Sequence, residues 1–156
     1  MATTMSRQRA ALGALLVALQ LVLIAWLAWS GLGALSTAPM PADAALVGAL
    51  GAALAVASLL ANRPGNFSVM PAPKPHGRLV TSGPYRWIRH PMYSAVLALA
   101  IACAMTAGSA SAWLAVAVLA LVLLVKSSLE ERWMALQHPG YEAYRAATHR
   151  FLPGIF

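Results

Sequence analysis

Acidic side chains are nearly missing from this chain. Asp43, Glu130, Glu131 and Glu142 are the only four among 156 residues, and three of them follow the last long apolar run. There is one cysteine, Cys103, and it sits inside an apolar run. No disulfide framework and no cysteine-based metal site can form, and Cys103 reads as a small helix-packing residue. His76, His90, His138 and His149 share no ligand spacing, and neither HExxH nor CxxC occurs, so no metal site is expected. GxSxG and Walker A loops are missing too. Gly31-x-Gly33 is no dinucleotide fingerprint, because no strand precedes it. Charged residues make up 10% and hydrophobic residues 60%, which excludes the ordinary soluble class.

What is present is apolar and comes in runs. Ala10 to Trp29 carries no charge and one Gln. That is long enough to cross about 30 Å of hydrocarbon. Ala44 to Ala61, Pro91 to Ala107 and Ala110 to Val125 are also uncharged, the last two separated by Gly108-Ser109. The expectation is an all-α integral membrane fold of four transmembrane helices with a C-terminal cytoplasmic helical extension. The last two runs are near the short limit. By length the chain is one domain: 1–61 two N-terminal helices, 62–90 a loop with a motif, 91–126 a helical hairpin, 127–156 the extension. Arg7 and Arg9 could start a signal peptide. The apolar stretch after them is long and lacks an A-x-A site, so it reads as an uncleaved first helix. Trp26 and Trp29 suit an interfacial belt. Gly31, Gly33, Pro39 and Pro41 read as a turn. Gly48 and Gly51 make the second helix a close-packing element.

Net charge is +7, yet its placing does not suggest nucleic acid. Arg7 and Arg9 precede the first run. Arg63, Lys74, Arg78, Arg86 and Arg89 lie between the second and third. Lys126, Arg132, Arg145 and Arg150 follow the fourth. The positive-inside rule then puts both termini and the central loop in the cytoplasm. A multi-pass protein of a cell inner membrane is expected, with the lipid bilayer as its partner. For most of these residues, setting topology and touching anionic lipid is a sufficient role.

The densest chemistry is Gly83 to Tyr93, GPYRWIRHPMY, set against the apolar run that begins at Pro91. Polar groups at a membrane boundary are expensive and usually have a use. Pro91 suits the first turn of a helix, which leaves N–H groups beside Arg89 and His90 for a carboxylate or phosphate. Tyr85, Trp87 and Tyr93 could equally be belt aromatics. Lys126 and Glu130 are spaced i, i+4 and share a helix face. Glu131 lies about 100° round from Glu130, so the two carboxylates are expected to point apart. Pro64, Pro71, Pro73 and Pro75 forbid a helix between the second and third runs. Phe67, Val69 and Met70 there could cover the site. His138-Pro139-Gly140 breaks the fourth helix, and Tyr141 to Thr148 reads as a short helix. Ala95, Ala98 and Ala102 pack helices or line an entry for an apolar ligand.

LVTSGPYRWIRHPMY from Leu79 to Tyr93, Glu130-Glu131, Tyr141-x-x-Tyr144 and Leu152-Pro153 closely resemble the isoprenylcysteine carboxyl methyltransferase family. That family groups with the membrane phospholipid N-methyltransferases. The resemblance covers about Arg78 to Phe156; the first two helices match only in being apolar. It implies S-adenosyl-L-methionine as cofactor at the cytoplasmic end of the hairpin. It also implies a small or lipid-like apolar acceptor with a carboxylate, amine or thiol. Gly83, Pro84, Tyr85, Arg89, His90, Pro91, Tyr93, Glu131, Tyr141 and Tyr144 are the implied cofactor-binding residues. Lys126, Glu130 and Glu131 are the implied catalytic ones. In the family an arginine stands where this chain has Lys126, a point charge in place of a planar fork. A non-catalytic membrane ligand-binding protein and a membrane reductase, whose C-terminal layout is similar, remain alternatives. The identity of the acceptor and the oligomeric state are left open.

Overall fold

The computed structural model describes residues 2–62, 66 and 77–155, with side chains from residue 10 onward. Phe67, Val69, Met70, Arg63, Lys74 and His76 lie outside the described residues. Among the described residues there are five α-helices: α1 (Ala2–Leu35), α2 (Ala42–Ala61), α3 (Pro91–Ala107), α4 (Ala110–Gln137) and α5 (Tyr141–Ala146).

Helix α1 is longer than the apolar run alone suggested. Arg7 and Arg9 lie within it, and Gly31 and Gly33 continue it instead of turning. Nothing between Ala2 and Leu35 removes a backbone donor; the first proline is Pro39. Gly31 also has a packing role. A Cβ there would lie 3.3 Å from the Cys103 Cα on α3. The chain leaves α1 through Ser36 and Thr37, whose hydroxyls donate to the Gly33 and Ala34 carbonyls at 2.6 and 2.8 Å.

Helix α2 starts after Pro41, and the Asp43 carboxylate accepts the Ala44 amide at 2.9 Å. Its small residues bring it close to α3. A Cβ on Gly51 would come 3.0 Å from the Ala98 Cβ and 3.2 Å from the Ala95 carbonyl oxygen. Gly48 faces Ala102 in the same way. The alanine face of α3 is therefore filled by α2. An acceptor entry beside Ala98 and Ala102 is corrected: that surface is a helix contact.

Helix α3 has Pro91 at its first position and ends at Gly108, whose φ of +61° supplies the left-handed cap. Ser109 then caps α4, accepting the Ala112 amide at 3.3 Å. Helix α4 runs on to Gln137, past the apolar run, as expected. Helix α5 stops at Ala146, short of Thr148, because the Thr148 hydroxyl turns back on the Tyr144 carbonyl at 2.6 Å. The chain then extends beside the motif: His149 N–H donates to the Trp87 carbonyl at 2.9 Å and Arg89 N–H to the His149 carbonyl at 2.8 Å. This parallel bridge between Ile88 and His149 ties the end of the chain to the start of α3.

Leu27 of α1, Ala100 and Ala104 of α3, Leu119 and Leu123 of α4, and Phe151 form the buried core. Leu60, Trp29 and Leu114 project outward, as lipid-facing residues do. Ala10–Leu35, Ala42–Ala61 and Ala110–Gln137 are long and apolar enough to cross a membrane. Helix α3, at 17 residues, spans about 25 Å at ~1.5 Å per residue, shorter than the other three.

Candidate active site

The polar residues of the motif, of α4 and of the C-terminal segment meet at one end of the α3–α4 hairpin, opposite the Gly108 turn. Glu131 is the centre. It is 5% exposed, and cations surround it. Oε1 accepts from Arg89 Nε at 2.9 Å and lies 3.2 Å from His90 Nε2. Oε2 accepts from Arg150 Nη2 at 3.1 Å, with Arg145 Nε at 3.8 Å. Arg89 also donates to the Arg145 carbonyl at 3.1 Å and to the Thr148 carbonyl. Arg150 donates to Ser128 at 3.2 Å. A carboxylate held by this many charge-assisted bonds is fixed in one place.

His90 corrects the expectation that the two glutamates point apart. Its ring nitrogens lie on different edges and reach one carboxylate each: Nε2 to Glu131, and Nδ1 to Glu130 Oε2 at 3.5 Å. The 100° between the glutamates is spanned by the width of one imidazole. Burial opposes the imidazolium, but the two carboxylates outweigh it and hold His90 above its ordinary pKa. The ring stacks on Tyr93 at 5.4 Å and meets the edge of Phe151 at 6.0 Å. Tyr93 donates its hydroxyl proton to Glu130 Oε1.

Lys126 shares a helix face with Glu130, but among the described residues the two form no ion pair. Glu130 is taken by Tyr93 and His90. The Lys126 ammonium, 1% exposed, donates to Gln20 Oε1 of α1 at 2.9 Å and lies 5.1 Å from the centre of the Tyr93 ring. The open helix start expected at α3 is also narrower. Pro91 has no N–H, and the Tyr93 and Ser94 amides both donate to the His90 carbonyl, at 3.0 and 3.2 Å.

The remaining expected residues form the frame. Gly83, Pro84 and Tyr85 lie in a 3-10 turn, Gly83–Arg86. Gly83 has φ +58°, and a Cβ on it would meet the Ala61 Cβ at 2.8 Å, so packing alone demands glycine. The Tyr144 hydroxyl donates to the Tyr85 carbonyl at 2.8 Å, joining α5 to this turn. Tyr141 is buried and packs edge-on against Tyr144 at 5.9 Å. Burial pushes the Tyr85, Tyr141 and Tyr144 phenols up, so all three stay neutral. Pro91 is buried at the helix start. Trp87 is exposed under Arg86 at 5.8 Å, consistent with a belt residue.

An open groove of about 530 Å³ runs along α4 between Ser128, Arg132, Leu136, Glu142 and Arg145, with Glu131 at its edge. Helical geometry puts Ser128 and Arg132 opposite Lys126 and Glu130, so the groove and the Lys126 corner face away from each other.

Sequence reasoning did not single out Gln20, Arg150, Arg145, Thr148 or Phe151. Gln20 had a signal: it is the one amide in a twenty-residue apolar run. The two arginines had none of their own, since each passed for a topology-setting charge. Thr148 and Phe151 enter only through the bridge between Ile88 and His149.

A model of the phospholipid methyltransferase family matches residues 44–139. That span holds all but the first two residues of α2, and the motif, α3 and α4 whole. It reaches further back than the Arg78 where the resemblance began, and it stops before Tyr141. No curated protein gives a significant match. More than half of the chain is covered, through the glutamate pair and the motif that meets it, and the chain belongs to the phospholipid methyltransferase family.

Proposed function

We propose that this protein transfers a methyl group from S-adenosyl-L-methionine to a small or lipid-like apolar acceptor at the cytoplasmic face of a membrane. Family membership supports methyl transfer. The observation that carries the reading further is His90 gripped between Glu130 and Glu131 at the polar end of α3 and α4. The donor supplies an electrophilic methyl on a sulfonium; the acceptor's lone pair forms the new bond as the carbon–sulfur bond breaks. Such a displacement needs in-line positioning and exclusion of water more than acid–base help.

The residues present fit the donor. Its carboxylate suits the arginines of the motif and of the C-terminal segment. Its ammonium and ribose hydroxyls suit a carboxylate acceptor. Glu131 is already saturated by Arg89, His90 and Arg150, so it acts as a positioning residue. Glu130, 18% exposed, has one contact on each oxygen, to Tyr93 and to His90, and its remaining lone pairs are the carboxylate acceptors open to a ligand. Tyr85, half-buried beside this cluster, offers an aromatic wall to the adenine. Lys126 stands on the same face of α4 as Glu130 and orients the acceptor. The reading includes four helices in the membrane and both termini on the cytoplasmic side, with residues 127–156 as a cofactor-site extension. Reporter fusions at the C-terminus and at Pro39 then report opposite sides.

The test is calorimetry in detergent with S-adenosylhomocysteine, and separately with NADPH. Micromolar binding of the first, roughly −7 to −8 kcal/mol, and none of the second is expected. No heat at millimolar S-adenosylhomocysteine, or binding of NADPH in its place, overturns the proposal.

A further inference from the structure

Among the described residues, Lys126 is the largest fully buried side chain, and it is charged. An ammonium has three N–H donors. Among the described residues, the hydrogen-bond acceptor it meets is the amide oxygen of Gln20, at 2.9 Å. The Tyr93 ring lies alongside at 5.1 Å. Glu130, one turn further along α4, is engaged with Tyr93 and His90. A methionine would fill this place at lower cost than a buried cation with unmet donors. Gln20 is itself buried, at 8% exposure, on the helix that lies outside the family-matched residues 44–139. The bland role for such a pair is interhelical glue, which is worth about 1 kcal/mol in a membrane. That role leaves the spare N–H groups of Lys126 unexplained.

We propose that Gln20 is a positioning residue of the acceptor site. Its oxygen holds the Lys126 ammonium between α1, α3 and α4, with the remaining N–H groups turned to an anionic or electron-rich oxygen on the apolar ligand. α1 thus contributes to specificity. The inference rests on the acceptor role given to Lys126 above. It selects, among the acceptor classes, ligands with an oxygen anion near the reacting end.

The experiment uses the full chain in detergent, with laurate as the probe for the acceptor site and S-adenosylhomocysteine as the probe for the donor site. Gln20→Leu removes the partner of Lys126, and laurate affinity falls about tenfold. Gln20→Glu keeps and strengthens the hold on Lys126, so its melting temperature matches or exceeds that of the parent. Its carboxylate competes for the ammonium, and laurate affinity still falls at least tenfold. A merely structural Gln20 does not produce that split. Both variants bind S-adenosylhomocysteine within about twofold of the parent, and Gln20→Leu has no further effect on laurate in a Lys126→Met background. Parent-like laurate binding by Gln20→Glu overturns the proposal, as does absence of laurate binding by the parent. If Gln20→Leu fails to fold, Gln20→Glu decides alone. Failure of S-adenosylhomocysteine to bind the parent sinks the methyltransferase reading and leaves the laurate series to judge Gln20.

Discussion

The two ends of the α3 environment are built on opposite principles. Along its body, α3 meets α2 through Gly48, Gly51, Ala95, Ala98 and Ala102, with backbones in near contact. At its start, α3 meets α4 and the C-terminal segment through Arg89, His90, Tyr93, Glu130, Glu131 and Arg150, nearly every contact a hydrogen bond or ion pair. The first contact depends on shape, because lipid gives apolar side chains no preference for each other. The second depends on charge, because a buried ion that loses its partner keeps the cost of desolvation without the attraction that offsets it. The lesson is that the same helix can be damaged in two distinguishable ways.

The largest effect is expected at the charged end. Glu131→Ala leaves Arg89 and Arg150 without their carboxylate and is expected to cost about 3–5 kcal/mol. Chemical or thermal unfolding in detergent measures it. A loss below about 1 kcal/mol would mean that the cations find other partners and that the charge principle is wrong. Next is the shape end. Gly51→Leu forces a side chain into the Ala98 contact and is expected to cost about 1–3 kcal/mol, by the same measurement. S-adenosylhomocysteine affinity in the folded fraction stays unchanged; a large drop in that affinity would break the division between the two ends.

Tyr144→Phe removes one hydrogen bond, to the Tyr85 carbonyl, and is expected to cost about 1 kcal/mol. It sharpens the comparison by testing a neutral bond within the charged end. The smallest effect is a pH dependence. The His90 pKa is raised in the folded protein, so its contribution to stability is fully present below the unfolded value of about 6.5. It is lost as pH rises through the folded value. Melting temperature followed from pH 6 upward is expected to decline in the parent, and to decline less in His90→Gln. Equal slopes would place the pH dependence elsewhere.

Most of the helices could be read from the chain because lipid imposes one rule: every backbone donor and acceptor must be met within the helix. Uncharged runs, Pro91 and Gly108 then mark the beginnings and ends. The reading erred where packing decides. Gly31 reads as a turn residue in the sequence, but its missing Cβ serves the contact with Cys103 inside a continuing helix. The site was legible in its residue types: Arg89, His90, Tyr93, Lys126, Glu130 and Glu131 do converge. Their pairing was not. Helix periodicity is a rule about one helix, and it put Lys126 with Glu130 and set Glu130 against Glu131. The start of α3 supplies His90 to bridge the glutamates, and α1 supplies Gln20 to take the lysine.

Hydrophobic length and backbone satisfaction are local properties, so the order of residues alone marks out a membrane protein, its helices and the cluster that carries the family resemblance. Which partner each charge takes follows from how the helices pack. Ion pairing depends on distances of a few ångströms between segments far apart in the chain. Gln20 and Lys126 are 106 residues apart, and Arg89 and Glu131 are 42.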